Sequence, residues 1–294
     1  MPVVDARTGI YILIGNPVEH SLSPAIHNAA FDVMALNNIY LTAAVETDRV
    51  GKALDGVRAL GIKGLNVTSP HKEAVIAHLD FLSPEAEAVK SVNTIINRSG
   101  SLEGYTTDGE GFANYLDEIR LSIGGKKILL IGAGGAARSI AYAVAVRQPG
   151  IEICVINRGK ERGEGLVSLL TKSAGQGYFE YRSLDDPDLP ALIKESKIII
   201  YSLPHDAPQF LDALSQTGSI DPDSYLLDLR YVPPLSRTMK LFSVQGGKVY
   251  NGLGMLYWQA VLSFKLFTAQ KAPLDIMRAA AGLKKGSAAS GDWR

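Results

Sequence analysis

Apolar and polar residues alternate along the chain in the manner of short strands separated by amphipathic helices. Uninterrupted apolar runs at 128–131 and 151–156 are typical of strands that are buried on both faces of a parallel sheet. The stretch 253–267 has its apolar residues at helical spacing. The same patterns predict further strands at 10–14, 39–45, 64–67, 93–97, 102–105, 198–202 and 225–229. Further helices are predicted after Ser23 and at 49–60, 109–119, 136–146 and 161–170, so the fold class is α/β.

A glycine-rich turn directly follows the strand at 128–131. Gly132, Gly134 and Ala137 have the spacing G-x-G-x-x-G/A, and a helical pattern begins at once behind them. Unpaired N–H groups and the helix dipole favour an anion at such a helix start, which predicts a dinucleotide pyrophosphate there. The alternative is a glycine-rich turn in some other α/β protein.

A basic segment follows the next predicted strand. Asn157 and Arg158 come directly after it, with Lys160 and Arg162 close behind. An acidic residue at this place would bind the ribose of NAD, whereas a guanidinium can hold the 2′-phosphate of NADP. The segment therefore favours NADP, and the alternative is a solvated basic loop.

Composition limits the class of protein. The chain has 294 residues, 46% of them hydrophobic, which is enough for two domains with separate cores. Thirty basic residues balance thirty acidic ones, so nothing in the charge supports a nucleic-acid partner. Cys154 is the single cysteine and lies in a predicted strand, as a buried thiol would. No apolar run is long enough to span a membrane, and no signal-peptide pattern is present, so we expect a cytoplasmic protein without a metal site.

In the first half of the chain, four clusters of polar side chains are each expected to follow a strand. The clusters are 20–23, 66–68 with Lys72, 93–94 and 106–109. Each has an ordinary structural explanation, such as Ser23 acting as a helix N-cap before Pro24. Ligands of open α/β sheets, however, bind at the edge where the strands end, so the clusters together predict a binding site.

In combination, these segments resemble the shikimate dehydrogenase family. The resemblance is carried by GNPVEHSLSPAIHNAAF at 15–31, NVTSPHKE at 66–73, SVNTI at 91–95, TTDGEGF at 106–112, GAGGAARSI at 132–140 and NGLGMLYWQA at 251–260. It implies reversible, NADP-dependent reduction of 3-dehydroshikimate to shikimate, within aromatic amino acid biosynthesis. It also implies a discontinuous substrate domain at 1–108 and 253–294, and a Rossmann-type NADP domain at 109–252.

The resemblance assigns roles position by position. Lys72 and Asp108 correspond to the catalytic pair. The substrate-binding positions correspond to Ser21, Ser23, Thr68, Asn93, Tyr231 and Gln259. The cofactor-binding positions correspond to Gly132, Gly134, Gly135, Ala136, Ala137, Asn157, Arg158, Arg162 and Gly252. Lys72 can give a proton to the developing alkoxide, or take one in the oxidation, and Asp108 can hold it in place. The alternative for the pair is a structural ion pair.

The chain departs from the usual family pattern at four places. Lys90-Ser91 stands where relatives have Gly-Ala before Val-Asn-Thr. Thr106 stands where relatives have asparagine, Gly159 where many have threonine, and 201–204 reads Tyr-Ser-Leu-Pro in place of an Asn-Ala-Thr turn. Two alternatives therefore stay open: a quinate/shikimate dehydrogenase of broader specificity, and a non-catalytic sensor of shikimate-like ligands. We expect a monomer or a homodimer, with a small molecule as the only partner. The tail at 284–294 lacks apolar periodicity, and we expect it to be disordered.

Overall fold

The structure is a computed structural model that describes residues 4–284. These residues form two compact units, one made of 4–112 with 256–284 and the other of 113–255. Except for Lys284, the tail for which disorder is expected lies outside the described residues. The chain thus leaves the first unit once and later returns to it. The substrate-binding and cofactor-binding roles expected of the two units stay predictions.

The first unit contains a mixed sheet of six strands, in the order β2-β1-β3-β5-β6-β4. Its strands are β1 (Gly9–Gly15), β2 (Asn38–Ala44), β3 (Gly64–Val67), β4 (Phe81–Leu82), β5 (Thr94–Arg98) and β6 (Ser101–Tyr105). β1 pairs in parallel with β2 and β3, whereas β5 runs antiparallel to both β3 and β6. The ends of β3 and β6 and the beginning of β5 therefore lie at one edge of this sheet.

The second unit contains a sheet of six strands that are all parallel, in the order β12-β11-β10-β7-β8-β9. Its strands are β7 (Lys127–Ile131), β8 (Ile151–Asn157), β9 (Gly177–Ser183), β10 (Ile198–Tyr201), β11 (Tyr225–Asp228) and β12 (Lys248–Tyr250). Counted from β7, this is the order 3-2-1-4-5-6 of a doubly wound, Rossmann-type sheet. The strand order reverses between β7 and β10, because β8 and β9 are added on one side of β7 and β10 to β12 on the other. Such sheets bind ligands at this point of reversal.

Helices connect the strands in both units. They are α1 (Ser23–Val33), α2 (Val50–Ala59), α3 (Pro84–Val89), α4 (Asp108–Glu118), α5 (Gly135–Arg147), α6 (Lys160–Ser173), α7 (Leu189–Glu195), α8 (Pro208–Gln216), α9 (Arg237–Val244), α10 (Leu253–Thr268) and α11 (Leu274–Ala280). Short 3-10 segments lie at Thr47–Arg49 and Ala74–His78. The expected N-cap at Ser23 is wrong: Leu22 occupies the cap position, and no side chain caps α1. The Ser23 hydroxyl is thus not used to start the helix.

Each unit has a hydrophobic core of its own, built from the apolar runs that predict its strands. In the first unit, Leu65 and Ile95 of the sheet pack with Leu54 and Val57 of α2. In the second unit, the strands from 128 onward and from 151 onward are buried, including Cys154 at 1% exposure. Burial raises the pKa of the Cys154 thiol to about 12, so the thiol behaves as a small apolar group, as its place in a strand predicts.

Candidate active site

An ion pair between Lys72 and Asp108 lies at the edge of the first sheet where β3 and β6 end. The Lys72 ammonium donates to Asp108 Oδ2 over 2.5 Å. The side chains are 17% and 5% exposed, so the pair is largely shielded from bulk water. Asp108 is the first residue of α4, where the helix dipole favours a negative charge. The ends of β3 and β6 thus bring together two residues that are 36 positions apart in the chain.

Asn93 holds the second oxygen of the Asp108 carboxylate. Its amide nitrogen donates to Asp108 Oδ1 and to the Thr107 hydroxyl, each over 2.9 Å. Its amide oxygen accepts the Thr107 backbone N–H over 2.8 Å. Asn93 comes just before β5 and does not follow a strand; it reaches this edge because β5 is antiparallel to its neighbours. Both carboxylate oxygens of Asp108 therefore have a fixed partner.

A buried hydrogen-bond network lies behind Asn93. The Asn66 amide donates to the Asn93 carbonyl, the Thr94 hydroxyl and the Ser263 hydroxyl, each over 3.0 Å. The Tyr40 hydroxyl donates to Asn66 Oδ1 over 2.7 Å. The Thr94 and Ser263 hydroxyls lie 2.8 Å apart and share a hydrogen bond. Because each of these polar groups is buried and paired, the network fixes the orientation of the asparagine amides.

Two aromatic rings support this network from the side of α1. His27 is fully buried and stacks on Tyr40, with ring centroids 4.5 Å apart and planes 7° apart. Neither ring nitrogen of His27 has a hydrogen-bond partner among residues 4–284. Burial lowers the pKa of His27 to about 3 and raises the pKa of the Tyr40 hydroxyl well above its usual value. At neutral pH the histidine is therefore uncharged, and Tyr40 stays protonated as the donor to Asn66.

The hydrogen bonds recorded for the other predicted substrate residues of the first unit go to partners other than the ion pair. Ser23 is buried, and its backbone N–H donates to Ser21 Oγ over 3.2 Å. Thr68 follows β3, and its backbone N–H donates to the carbonyl of Ile14 over 2.9 Å. Gln259, on α10, donates to the carbonyl of its own helix at Leu256 over 2.9 Å. Within residues 4–284, no side-chain hydrogen bond joins Ser21, Thr68 or Gln259 to Lys72 or Asp108.

The glycine turn in the second unit has the geometry of an anion-binding helix start. Gly132 has φ +108°, a conformation that favours glycine, and Gly134 is the N-cap of α5. No side chain caps this helix, so its first N–H groups face outward without a side-chain acceptor. Neither backbone conformation nor packing among the described residues demands a glycine at 134, since a Cβ there would meet no atom within 4 Å. The missing side chain leaves open the space in front of the helix, which fits a pyrophosphate.

Of the other predicted cofactor residues, three continue this turn into α5, and Gly252 follows β12. Gly135 and Ala136 form the first turn of α5, and Ala137 is fully buried against the sheet. A Cβ on Gly252 would collide with the Leu229 carbonyl, so this glycine is required by backbone packing. Tyr231 follows β11 and belongs to the second unit, whereas the other predicted substrate residues belong to the first.

The basic segment after β8 is exposed. Asn157 donates to the Gly159 carbonyl over 2.8 Å, which shapes the turn into α6. Arg158 and Arg162 are exposed and make no ion pair within the described part of the chain. Two guanidinium groups without a carboxylate partner fit a phosphate group. The glycine turn and this segment together fit a phosphorylated dinucleotide such as NADP.

Sequence patterns did not identify several polar residues of the first unit. Tyr40 and Ser263 hold Asn66 in place but lie outside the predicted clusters. Thr107, which bonds to Asn93, belongs to the predicted cluster 106–109 but has no predicted role of its own. The only signal for Ser263 is a hydroxyl on the otherwise apolar side of α10. Among the residues that the structure describes, no group of three or more His, Cys, Asp or Glu is arranged to hold a metal ion. No helix between residues 4 and 284 has the length and hydropathy needed to cross a bilayer.

Comparison with known proteins gives matches over nearly the whole chain. The shikimate dehydrogenase substrate binding domain matches residues 13–95, shikimate / quinate 5-dehydrogenase matches 116–229, and the shikimate 5′-dehydrogenase C-terminal domain matches 252–281. The shikimate dehydrogenase (NADP(+)) of Methanopyrus kandleri is 38% identical, over 94% of this chain and 96% of its own length.

Solved structures give the same result. A shikimate dehydrogenase crystallised in complex with NADP+ superposes with a TM-score of 0.82 at 32% identity, covering 96% of this chain and 98% of the other. The shikimate 5-dehydrogenase of Thermus thermophilus, in complex with NADP(H) and shikimate, has a TM-score of 0.77 at 30% identity, covering 94% and 99%. The sequence and the fold are therefore shared with these enzymes over at least 94% of the chain.

Proposed function

Because the chain belongs to the shikimate dehydrogenase family, we propose that it is an NADP-dependent oxidoreductase that interconverts 3-dehydroshikimate and shikimate. The predicted family and α/β fold are confirmed, since relatives 38% identical span nearly its full length and solved structures share its architecture. The observation that carries the proposal is the shielded Lys72–Asp108 pair, with both carboxylate oxygens held. A protein that only binds the ligand has little need of such a proton-transfer pair.

Lys72 is proposed to transfer the proton. Among residues 4–284, its ammonium has Asp108 as its only hydrogen-bond acceptor, which leaves N–H groups for a substrate oxygen. In the reduction, the ammonium gives a proton to the oxygen of the ketone as that oxygen becomes an alkoxide. In the oxidation, the amine takes the hydroxyl proton back. Asp108 orients the ammonium, and Asn93 prevents the carboxylate from turning away.

The polyhydroxylated carboxylate is proposed to bind along the same edge of the first sheet. Ser21 and Ser23 would hold the substrate carboxylate, which is supported by a Ser23 hydroxyl that caps no helix. Thr68, Asn93 and Gln259 would contact ring hydroxyls, with Tyr231 as a further contact. These assignments follow the family motifs residue by residue.

The glycine turn and the basic segment are proposed to bind NADP. When bound, NADP takes up or returns a hydride at its nicotinamide ring. Backbone N–H groups at 134–137 would bind the pyrophosphate at the start of α5. Arg158 and Arg162 would hold the 2′-phosphate, with Asn157 shaping the turn that presents them. Gly252 is a further proposed cofactor position, assigned from the family motif; its backbone packs closely on that of Leu229.

One set of assays tests this function against its two alternatives. The absorbance of the reduced cofactor is followed with shikimate and with quinate, each offered with NADP and with NAD. We expect the fastest reaction with shikimate and NADP. A faster reaction with quinate would favour the broader quinate/shikimate enzyme, and no reaction in any combination would favour the sensor. A role in aromatic amino acid biosynthesis accords with the family, while the cytoplasmic location and the monomeric or homodimeric state stay predictions.

A further inference from the structure

The loop that follows β10 lies directly against the glycine turn. This loop, residues 202–207, begins where the Ser202 N–H donates to the Ile131 carbonyl over 2.8 Å. A Cβ on Gly132 would lie 3.2 Å from the Leu203 side chain and 3.5 Å from the Ser202 backbone. Because β7 and β10 flank the switch point of the sheet, the loop forms the second wall of the crevice in which a dinucleotide binds.

The Tyr201 hydroxyl closes this loop on itself. Tyr201 is the last residue of β10 and is fully buried. Its hydroxyl donates to the His205 carbonyl over 3.0 Å and accepts the Ala207 N–H over 2.8 Å. One hydroxyl thus bridges both sides of a short turn, which otherwise has few backbone hydrogen bonds of its own. Because Tyr201 is fully buried and its hydroxyl is bonded to the loop, it acts through the loop.

Arg230 anchors the same loop to the next strand. Its guanidinium lies 4.8 Å from the centre of the Tyr201 ring. It donates to Asp228 over 2.6 Å and 2.9 Å, and to Asp206 of the loop over 2.8 Å. The Thr238 hydroxyl also donates to Asp206, over 2.7 Å. Although burial opposes it, hydrogen bonds from Thr238 and Arg230 hold the pKa of Asp206 below its usual value. The loop is therefore held at three successive residues, His205, Asp206 and Ala207.

We propose that Tyr201 and Arg230 are positioning residues that hold residues 202–207 as a rigid wall beside the glycine turn and thereby set the affinity for NADP. The inference rests on the proposed function, since it concerns the cofactor of the same reaction. It gives a physical role to the segment that departs from the usual Asn-Ala-Thr turn. A large tyrosine takes the place of small polar side chains and fixes the backbone from the buried side.

The variant Tyr201→Phe tests the proposal by removing the hydroxyl and leaving the ring. In the cofactor-free protein, we expect the Ala207 amide to exchange its hydrogen about tenfold faster, because its acceptor is lost. By calorimetric titration, the Kd for NADP should rise about tenfold, while the KM for shikimate changes little. Asp206→Asn, which keeps the hydroxyl, should shift both values in the same direction by a smaller factor.

Two control variants separate positioning from stability. Tyr115→Phe is the same change in the same unit, at a buried hydroxyl without a hydrogen-bond partner among the described residues, and should leave the Kd for NADP unchanged. Thr217→Val removes a buried hydroxyl that donates to the Leu214 carbonyl near the end of α8. It should lower the Tm without changing the Kd.

The outcomes distinguish this proposal from the function on which it rests. If the Tyr201→Phe protein has a lower Tm but binds NADP with wild-type affinity, the tyrosine has only a structural role and the proposal is overturned. Unchanged hydrogen exchange at Ala207 would also overturn it. If the wild-type protein does not bind NADP, the proposed function itself is wrong, whatever the variants do.

Discussion

The polar cluster around Asp108 and the glycine turn after β7 both lie at the edge of a sheet, yet the first is built from side chains and the second from backbone groups. The cluster consists of side chains that are buried and bonded to one another before any ligand arrives. The glycine turn consists of backbone N–H groups without a side-chain cap, next to exposed arginines. The first arrangement suits the fixed geometry of proton transfer, whereas the second suits an anion that supplies the missing acceptors.

This difference implies that substitutions in the two regions have separable effects. Changes in the buried cluster should alter turnover and leave NADP binding intact. Changes around the glycine turn and the basic segment should alter NADP binding and leave proton transfer intact.

Lys72→Ala should give the largest loss. The variant lacks the proposed proton donor, so we expect kcat to fall by about 10²–10⁴-fold. Calorimetric titration should show a Kd for NADP within about twofold of the wild type, because Lys72 lies outside the glycine-turn unit. Lys52→Ala, on the exposed side of α2, is the matched control and should retain full turnover. Near-wild-type turnover of Lys72→Ala would remove Lys72 from the mechanism.

Arg158→Ala should weaken the binding of NADP selectively. The loss of charge-assisted hydrogen bonds to a phosphate costs about 1.5–3 kcal/mol, so the Kd for NADP should rise about 10–100-fold. The Kd for NAD, which lacks the 2′-phosphate, should stay nearly unchanged. Arg147→Ala, at the other end of α5, is the control and should affect neither cofactor. An equal loss for NAD and NADP would show that Arg158 does not recognise the 2′-phosphate.

His27→Phe should change how stability depends on pH. The unfolded chain protonates this histidine near pH 6.5, whereas in the folded protein burial lowers the pKa of His27 to about 3. Between these values the unfolded state binds more protons, so the wild type loses about 1.4 kcal/mol of unfolding free energy for each unit of falling pH through this group. Urea unfolding followed by circular dichroism should show a shallower decline for the variant.

A core substitution without a titrating group is the control for that experiment. Phe31→Leu, next to His27 on α1, should lower the unfolding free energy by a similar amount at every pH. If His27→Phe follows the pH dependence of the wild type, the buried histidine does not contribute to it.

The fold could be predicted where burial imposes a periodic pattern. The apolar runs at 128–131 and 151–156 correspond to β7 and β8, and the helix predicted at 253–267 is α10 at Leu253–Thr268. Strand β9, at Gly177–Ser183, escaped prediction because it is an edge strand with half-exposed, mixed side chains. Helices α8 and α9 were missed as well, since they are only nine and eight residues long.

The candidate site could be predicted only as far as local motifs reach. The motifs name Lys72, Asp108 and Asn93, and the structure brings these three into contact. Ser263 is 197 positions from Asn66 in sequence, and no local spacing indicates their hydrogen bond. The same holds for Arg230 over the Tyr201 ring, because strand pairing and not sequence proximity brings them together. The catalytic and binding roles stay predictions until variants are measured.

Direct transfer of hydrogen from shikimate to NADP is the central claim, and isotope labelling tests it most directly. Shikimate with deuterium on the carbon whose hydroxyl is oxidised is incubated with the protein and NADP, and the NADPH formed is analysed by mass spectrometry. The account predicts that the NADPH carries the deuterium, because the hydride moves from that carbon to the nicotinamide ring. NADPH without deuterium, or no NADPH at all, would contradict it.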